Sequence, residues 1–372
     1  MDVKSAFMYG KIEEEVYVCQ PPGFKDLEFP GRVYKVEKAL YGLHHAPRAW
    51  YETLSTYLLD NEFQRGQIDK TLFMKRVKGD ILPTQVYIDD IIFGSTRNEM
   101  CIEFEKMMHK KFQMSSMGEL TFFLGLQVTQ KDDGIFISQD KYVDEILKKF
   151  GFSTVKTAST PMETSKLLLK DAEAEDVDVY LYRSMIRSLM YLTASRPDIM
   201  FAVCACARFQ VTPKVSHLHA VKRIFRYLKG QPKLGLWYPK DSPFDLEAYT
   251  DNDYAGTSLD KKSTTREYVA ASSCCRQVLW IQNQMLDYGY NFMNTKIFID
   301  NESTICIVKN PVFYSKTKHI EIRHHFIRDS NEKKLIQMIK IHKDHNVADF
   351  LTKAFDVGKF QYLIASIGML NL

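Results

Sequence analysis

Long apolar runs and paired cysteines are both scarce in this sequence. Hydrophobic residues make up an ordinary 45% of the 372 residues, but no stretch is long and apolar enough to span a membrane. The opening residues, Met-Asp-Val-Lys, lack the charged-then-apolar pattern of a signal peptide, so we expect no secretion. The seven cysteines show no zinc-ligand spacing with histidines, which indicates reduced thiols in an intracellular protein.

A strong excess of charge of either sign is also absent. The formal net charge is +4, which permits a polyanionic partner but does not require one, because the charge can be spread over solvated faces. The length predicts two or three domains, each able to bury a core.

Two adjacent carboxylates interrupt a β-rich stretch in the first half of the chain. The apolar runs are residues 86–88 and 91–93, and Asp89-Asp90 lies between them, which predicts a tight hairpin with both acids at its tip. Neighbouring carboxylates repel each other, and a bound Mg²⁺ would offset that repulsion because it prefers hard oxygen ligands. A plain polar turn between two buried strands explains the same pattern.

Three blocks of sequence are together similar to a known family. Residues 87–90, Tyr-Ile-Asp-Asp, resemble the Tyr-x-Asp-Asp box of reverse transcriptases. Residues 2–7 (Asp-Val-Lys-Ser-Ala-Phe) and 40–51 (Leu-Tyr-Gly-Leu-His-His-Ala-Pro-Arg-Ala-Trp-Tyr) resemble two further polymerase blocks, in the family's order and spacing. The resemblance continues almost to the C-terminus, and the chain is identified as a member of the plant-like copia-type retrotransposon Pol polyproteins, of which it is a fragment.

The resemblance implies a polymerase site that extends a DNA primer on an RNA template with deoxynucleotides. Two Mg²⁺ (or Mn²⁺) ions would be held there by carboxylates, and the matching residues are Asp2, Asp89 and Asp90. Phe7 matches the bulky residue that excludes a ribose 2′-hydroxyl. The resemblance also places Tyr87 beside the nucleotide, together with Phe7. Gly42 and Pro47 match the turn that supports the template and the nucleotide.

A second group of acids lies in the C-terminal half. Asp251 and Asp300 each end an apolar, strand-like run, Glu267 begins an apolar-periodic helix, and Asp349 lies in Asn-Val-Ala-Asp. This order resembles the ribonuclease H module that copia-type elements place after the polymerase. The resemblance implies that all four acids bind metal for hydrolysis of the RNA strand of an RNA–DNA hybrid.

The predicted fold class is α+β, in five segments. A reverse-transcriptase palm-type sheet with helices and the primer-contacting region covers residues 1–152. A linker (153–180) and a helical connector (181–242) follow, then a ribonuclease H-like α/β module (243–355) and a C-terminal tail (356–372). Apolar periodicity predicts palm helices over residues 46–61 and 98–112.

Two parts of the family's pattern are missing from this sequence. Relatives carry a full strand and a finger region before the first catalytic Asp, whereas Asp2 follows only Met1, so we expect that strand not to form and the chain to be N-terminally truncated. Residues 256–266 contain a single large apolar residue, Leu259, where the family has two more strands between Asp251 and Glu267. We therefore expect an internal deletion in the second module.

Three hypotheses follow for the function. The first is an RNA-directed DNA polymerase with a C-terminal ribonuclease H, in a cytoplasmic virus-like particle or the nucleus, without membrane contact and with other Pol or Gag products as further partners. The missing segments favour a second, a catalytically inactive remnant that binds nucleic acid. The third, a stand-alone metal nuclease, requires an intact module around Asp251.

Overall fold

The structure, a computed structural model, describes residues 1–164, 168, 173–251, 264–309 and 321–372, with the backbone alone at 264–268, 303, 307 and 321–325. Contacts between residues divide it into two compact units. The first contains residues 1–119 and 282–291, and the second contains residues 120–281 and 292–372. None of the helices in the described part of the chain is long and apolar enough to cross a membrane.

The first unit is built on a six-stranded sheet. The unit has eight described strands, of which six form this sheet. In chain order the eight are β1 (Asp2–Val3), β2 (Lys11–Cys19), β3 (Val33–Lys38), β4 (Gln64–Arg65), β5 (Leu72–Val77), β6 (Asp80–Tyr87), β7 (Asp90–Phe93) and β8 (Met114–Ser115). The sheet has the order β4-β5-β6-β7-β1-β8, and β2 pairs with β3 as a separate antiparallel ribbon.

Two amphipathic helices cover one face of this sheet: α1 (Ala46–Asp60) and α2 (Asn98–Lys111). Trp50, Leu54 and Leu58 follow one another at four-residue spacing along α1 and are fully buried, as are Phe104 and Met108 of α2. The 3.6-residue periodicity of both segments places these side chains on a single face. Both predicted palm helices are confirmed, within a residue at each end.

The strand that bears Asp2 forms, so the expectation that it would not was wrong. It is only two residues long, yet Asp2 pairs with Asp90 of β7 on one side and with Ser115 of β8 on the other. The main chain of Met1 extends the ladder, because its amino group donates to Ile91 O and its carbonyl accepts from Ile91 N, both at 2.8 Å. Pairing on two sides supplies the hydrogen bonds that a short strand lacks by itself.

The second unit begins with a hairpin and a layer of helices. Its strands include β9 (Phe122–Phe123), β10 (Leu126–Lys131), β11 (Gly134–Ser138) and β12 (Leu234–Pro239), and its first helices are α3 (Asp140–Lys149), α4 (Val179–Leu192), α5 (Met200–Ala207) and α6 (Val215–Gly230). The four helices share one apolar core, in which Tyr182, Leu189 and Phe225 are completely buried.

The rest of the second unit contains the segment predicted as a ribonuclease H-like module. The described elements of that segment are β13 (Glu247–Thr250), α7 (Thr264–Tyr288), β14 (Thr295–Ile299), α8 (Glu302–Lys309), α9 (Glu321–Glu332) and β15 (Ile336–Lys340). The predicted C-terminal tail adds α10 (Val357–Ser366) and β16 (Met369–Asn371). In the part of the chain that the structure describes, β13, β14 and β15 form a parallel sheet in that order. The last few residues of α7 are grouped with the first unit.

The C-terminal tail is an integral part of the second unit. Phe360 and Leu363 of α10 are buried in the same apolar core as α4 and α6. The strand β16 adds to a five-stranded sheet of order β16-β12-β11-β10-β9. The tail thus supplies the edge strand of a sheet whose other strands lie more than a hundred residues earlier in the chain.

Candidate active sites

The first acidic group lies where β1, β6 and β7 meet. The ladder sets Asp2 opposite Asp90, and Val3 N donates to Asp89 O at 3.0 Å. Asp2, Asp89 and Asp90 are all half-buried. Pairing between strands that are distant in sequence therefore brings the three predicted polymerase acids to one end of the sheet.

The tight turn in this site is one residue away from its predicted position. Tyr87 pairs with Asp90, so the two turn residues are Ile88 and Asp89, and Asp90 already belongs to β7. Ile88 has φ = +57°, the left-handed region that favours glycine and is costly for a β-branched residue. The indole N–H of Trp50 donates to Ile88 O at 2.7 Å. This bond ties the strained turn to α1.

Replacing Trp50 by Phe should destabilise the first unit by about 1–3 kcal/mol, because the carbonyl of Ile88 loses its donor. The rate in a primer-extension assay should fall as well, since the turn carries Asp89. Urea unfolding and an extension assay measure the two effects. Tyr57→Phe is the matched control, because Tyr57 is on the same helix and donates to Met107 O at 2.7 Å, away from the turn. Equal loss of extension in both variants would contradict this role of the indole.

Burial and electrostatic repulsion both affect the pKa of Asp90. Burial raises the pKa of the Asp90 carboxyl above its ordinary value, and the nearby charges of Asp2 and Asp89 raise that pKa further. Carboxylates held together at such a cost are a common feature of sites that bind a cation.

The other predicted nucleotide-site residues lie in the same unit as this group. Phe7 lies in a single 3-10 turn just after β1, and its ring centroid is 4.9 Å from that of Tyr41. Gly42 has φ = +90°, a conformation in which a side chain would be strained, and Pro47 occupies the first turn of α1, where a missing N–H costs nothing. Tyr87 is half-exposed at the end of β6. Tyr41 lies in the second sequence block and is a contact that sequence reasoning did not single out.

The second acidic group lies at the C-terminal edge of the parallel sheet. Asp251 follows β13, Asp300 follows β14, and Asp349 lies in a 3-10 helix, Val347–Leu351. One carboxylate oxygen of each lies within 4.8 Å of the others, and in the described part of the chain no other three acidic, histidine or cysteine side chains converge in this way. Parallel strands end at the same edge, which explains why the first two acids meet.

Residues that the sequence analysis did not single out hold Asp349 and Asp251 in place. Asn346 is buried, and its amide donates to Thr250 O at 3.1 Å, which fastens the 3-10 helix to the end of β13. The hydroxyl of Thr352 donates to Asp251 Oδ2. Lys353 donates to Asp349 Oδ1 at 3.0 Å and lies 3.2 Å from Asp251 Oδ2. The four-residue spacing of Asp349 and Lys353 is a sequence pattern from which this ion pair could have been predicted.

The pKa shifts of this group follow from burial and mutual repulsion. Burial raises the pKa of Asp300, and the charge of Asp251 raises it further. Burial likewise raises the pKa of Asp349, although the hydrogen bond from Lys353 opposes that rise. The neighbouring carboxylates raise the pKa of Lys353 despite its own partial burial. The group therefore favours a cation at its centre.

Other predicted features lie outside this geometry. The backbone of Glu267 is in the first turn of α7, but its side chain and residues 252–263, where the deletion was expected, lie outside the described residues. Two basic side chains of α6 bind other parts of the second unit. Arg223 donates to Thr160 O at 3.1 Å and Lys229 to Val155 O at 2.6 Å. They fasten the described part of the predicted linker onto the helices.

Comparison with known proteins places the first part of the chain in a family. Residues 1–164 match the family model described as reverse transcriptase (RNA-dependent DNA polymerase). The matched segment contains the whole palm-type sheet and all three of its acids. The fold and the match together define the class of this segment, that of the reverse transcriptases.

The similarity to transposon proteins extends over nearly the whole chain. The retrovirus-related Pol polyprotein from transposon RE1 of Arabidopsis thaliana is 32% identical over 99% of this chain and 27% of its own length. The corresponding protein from transposon TNT 1-94 of Nicotiana tabacum is 29% identical over 99% of this chain and 30% of its own length. The chain belongs to the plant-like copia-type retrotransposon Pol polyproteins, and it spans under a third of the length of these relatives.

A shorter yeast protein shows the same likeness. The putative transposon Ty5-1 protein YCL074W of Saccharomyces cerevisiae is 29% identical over 72% of this chain, and the alignment covers 88% of that protein.

Proposed function

We propose that this chain is an RNA-directed DNA polymerase with a C-terminal ribonuclease H-like module. It would extend a DNA primer on an RNA template from deoxynucleotides and hydrolyse the RNA strand of the resulting hybrid. The observation that carries the proposal is the ladder that sets Asp2 opposite Asp90, beside the turn that bears Asp89. Two-metal phosphoryl transfer needs several carboxylates at one site, and this pairing places the three residues at the same end of the sheet.

The donor sets of both acidic groups fit Mg²⁺ or Mn²⁺. Each consists of carboxylate oxygens, the hard ligands that these ions prefer. Asp2, Asp89 and Asp90 would hold the ions of the polymerase site, and Asp251, Asp300 and Asp349, with Glu267 as a fourth acid, those of the second. When bound, such ions activate the attacking oxygen and stabilise the leaving one.

The protein's own residues would orient the substrates. Phe7, with Tyr41 packed against it, would be the bulky side chain that a ribose 2′-hydroxyl meets. Tyr87 presents a half-exposed ring beside the same acids. In the second module Asn346 and Thr352 fix the positions of two acids, so that little rearrangement is needed when a substrate arrives.

A catalytically inactive remnant that binds nucleic acid is the second candidate. The alignments with the Arabidopsis and tobacco proteins run over 397 and 406 positions, more than the 372 residues of this chain. Each relative therefore carries residues that this chain lacks inside the aligned region. A deletion between Asp251 and Glu267 would account for part of this excess, and it would weaken the second module more than the first.

Primer extension and hybrid cleavage by the full chain separate these candidates. A labelled DNA primer on an RNA template is incubated with deoxynucleotides and Mg²⁺, and both strands are followed; a parallel sample contains EDTA. Metal-dependent extension supports the polymerase, and loss of the RNA strand adds the ribonuclease H activity. Cleavage without extension would instead indicate the stand-alone nuclease. Binding of the hybrid without either reaction would leave the inactive remnant.

Metal binding at the second acidic group should weaken as the pH is lowered. The loss of affinity should begin at a pH above the range in which ordinary carboxylates titrate. Because the pKa values of Asp300 and Asp349 are raised, their ionised, metal-binding forms are populated only at higher pH. Below that range, affinity should fall about tenfold per pH unit for each displaced proton. Mn²⁺ titrations between about pH 4 and pH 8 test this, with Asp300→Asn as the control. Constant affinity down to about pH 4 would contradict it.

A further inference from the structure

The ammonium group of Lys353 lies among the carboxylates of the second acidic group. Its Nζ atom is 3.0 Å from Asp349 Oδ1 and 3.2 Å from Asp251 Oδ2. The side chains of these two acids are only 10% and 4% exposed, whereas that of Lys353 is 32% exposed. The lysine thus contacts oxygens that a metal ion in this group would also need.

The position of Lys353 is fixed by the same segment that positions Asp349. Asn346 fastens the 3-10 helix to Thr250 O, and Thr352, next to the lysine, donates to both Asp251 Oδ2 and Asp349 O. The backbone of Lys353 donates to Asp349 O at 2.9 Å. A short segment with several hydrogen bonds therefore positions the ammonium of Lys353 beside the carboxylates. The side chain of Lys353 is partly exposed to water.

We propose that Lys353 is an internal counter-cation of this group, which neutralises the acids in the metal-free protein and competes with divalent ions for Asp251 and Asp349. This inference rests on the proposed metal-dependent function of the module. Two cations on the same carboxylate oxygens repel each other strongly in a partly buried site. The ammonium must therefore leave these oxygens when metal enters, and its attraction to them lowers the metal affinity.

Mn²⁺ binding to the full chain tests the competition directly. All samples carry Asp89→Asn and Asp90→Asn, so that the palm acids do not contribute to the signal. The dissociation constant is measured by the loss of the free-ion electron paramagnetic resonance signal. Lys353→Met should bind Mn²⁺ more tightly than the parent chain, by on the order of tenfold. Its melting temperature without metal should be lower, because three acids then lose their counter-charge.

Lys333→Met is the matched control. Lys333 also pairs with an aspartate four residues away, Asp329, at 2.8 Å, but both side chains are more than half exposed and lie outside the acidic group. Removing this lysine changes the net charge equally and should leave both the dissociation constant and the melting temperature close to those of the parent chain.

A second variant separates charge from packing. If Lys353→Met melts early because the acids repel one another, adding Asp251→Asn should raise the metal-free melting temperature again. No recovery, or an unchanged Mn²⁺ affinity in Lys353→Met while the parent chain binds, would overturn the role of Lys353 alone. Absence of Mn²⁺ binding in every variant would overturn the metal centre itself, and this inference with it.

Discussion

Primer extension on an RNA template with Mg²⁺ should fall by on the order of 10³-fold when Asp90 is replaced by Asn. The amide has the shape of the carboxylate and leaves the pairing of β1 with β7 intact, but it removes one negative charge from the site. Several kcal/mol of transition-state stabilisation are lost with it, and each 1.36 kcal/mol corresponds to about tenfold in rate. Single-turnover extension of a labelled primer measures the loss.

Asp80→Asn is the appropriate comparison for this change. Asp80 begins β6, the strand that pairs with the β7 strand of Asp90, but its carboxylate accepts from Thr96 Oγ1 at 2.7 Å and lies 3.7 Å from Arg97, at the end of β6 opposite the turn. Its replacement should alter extension by no more than about twofold, since a surface ion pair contributes little. An Asp90→Asn chain that extends as fast as the parent, or an Asp80→Asn chain that slows equally, would remove Asp90 from the polymerase site.

Replacing Asp198 by Ala should destabilise the second unit by about 3–5 kcal/mol. Arg196 is completely buried, and its guanidinium donates to both oxygens of Asp198, at 2.9 and 2.7 Å. Tyr227 donates to the same carboxylate at 2.8 Å, and Arg196 also donates to Gln231 O at 2.9 Å. Without Asp198 the charge of the guanidinium remains in the core with no negative partner. Urea unfolding followed by circular dichroism measures the loss.

The exposed pair of Lys333 and Asp329 shows what burial adds to this effect. Asp329→Ala also removes a carboxylate that is bonded to a cation, at 2.8 Å, but water solvates the lysine that is left. The expected cost is about 0–1 kcal/mol. If Asp198→Ala costs no more than Asp329→Ala, burial of this network adds nothing to the stability of the fold.

The sequence by itself determined most of the local structure. The four-residue spacing of Trp50, Leu54 and Leu58 specifies a helix with one apolar face, because that spacing matches the helical repeat. Asp251 and Asp300 each end an apolar run, which was enough to place them at strand ends. These are properties of short segments, and short segments carry their own periodicity wherever they lie in the fold.

Tertiary structure decided the geometry of the palm site. The turn falls at Ile88 and Asp89, one residue before the Asp-Asp pair, because Asp90 is drawn into the ladder with Asp2 and an indole from α1 holds the strained Ile88. The strand of Asp2 forms because it has partners on both sides. Neither effect can be read from the residues of the turn or strand themselves, since the stabilising partners are distant in sequence.

The second acidic group shows the same division. The sequence supplied Asp251, Asp300 and Asp349 as candidates, but only the fold brought their oxygens within 4.8 Å of one another. Asn346 contributes through a hydrogen bond to Thr250 O, 96 residues away in sequence, which holds the segment of Asp349 beside β13. The same segment carries Lys353 and places it among the acids. The chain thus specified which residues carry charge, whereas long-range hydrogen bonds and strand pairing decided which charges meet, because electrostatic interaction depends on distance in space and not on distance along the chain.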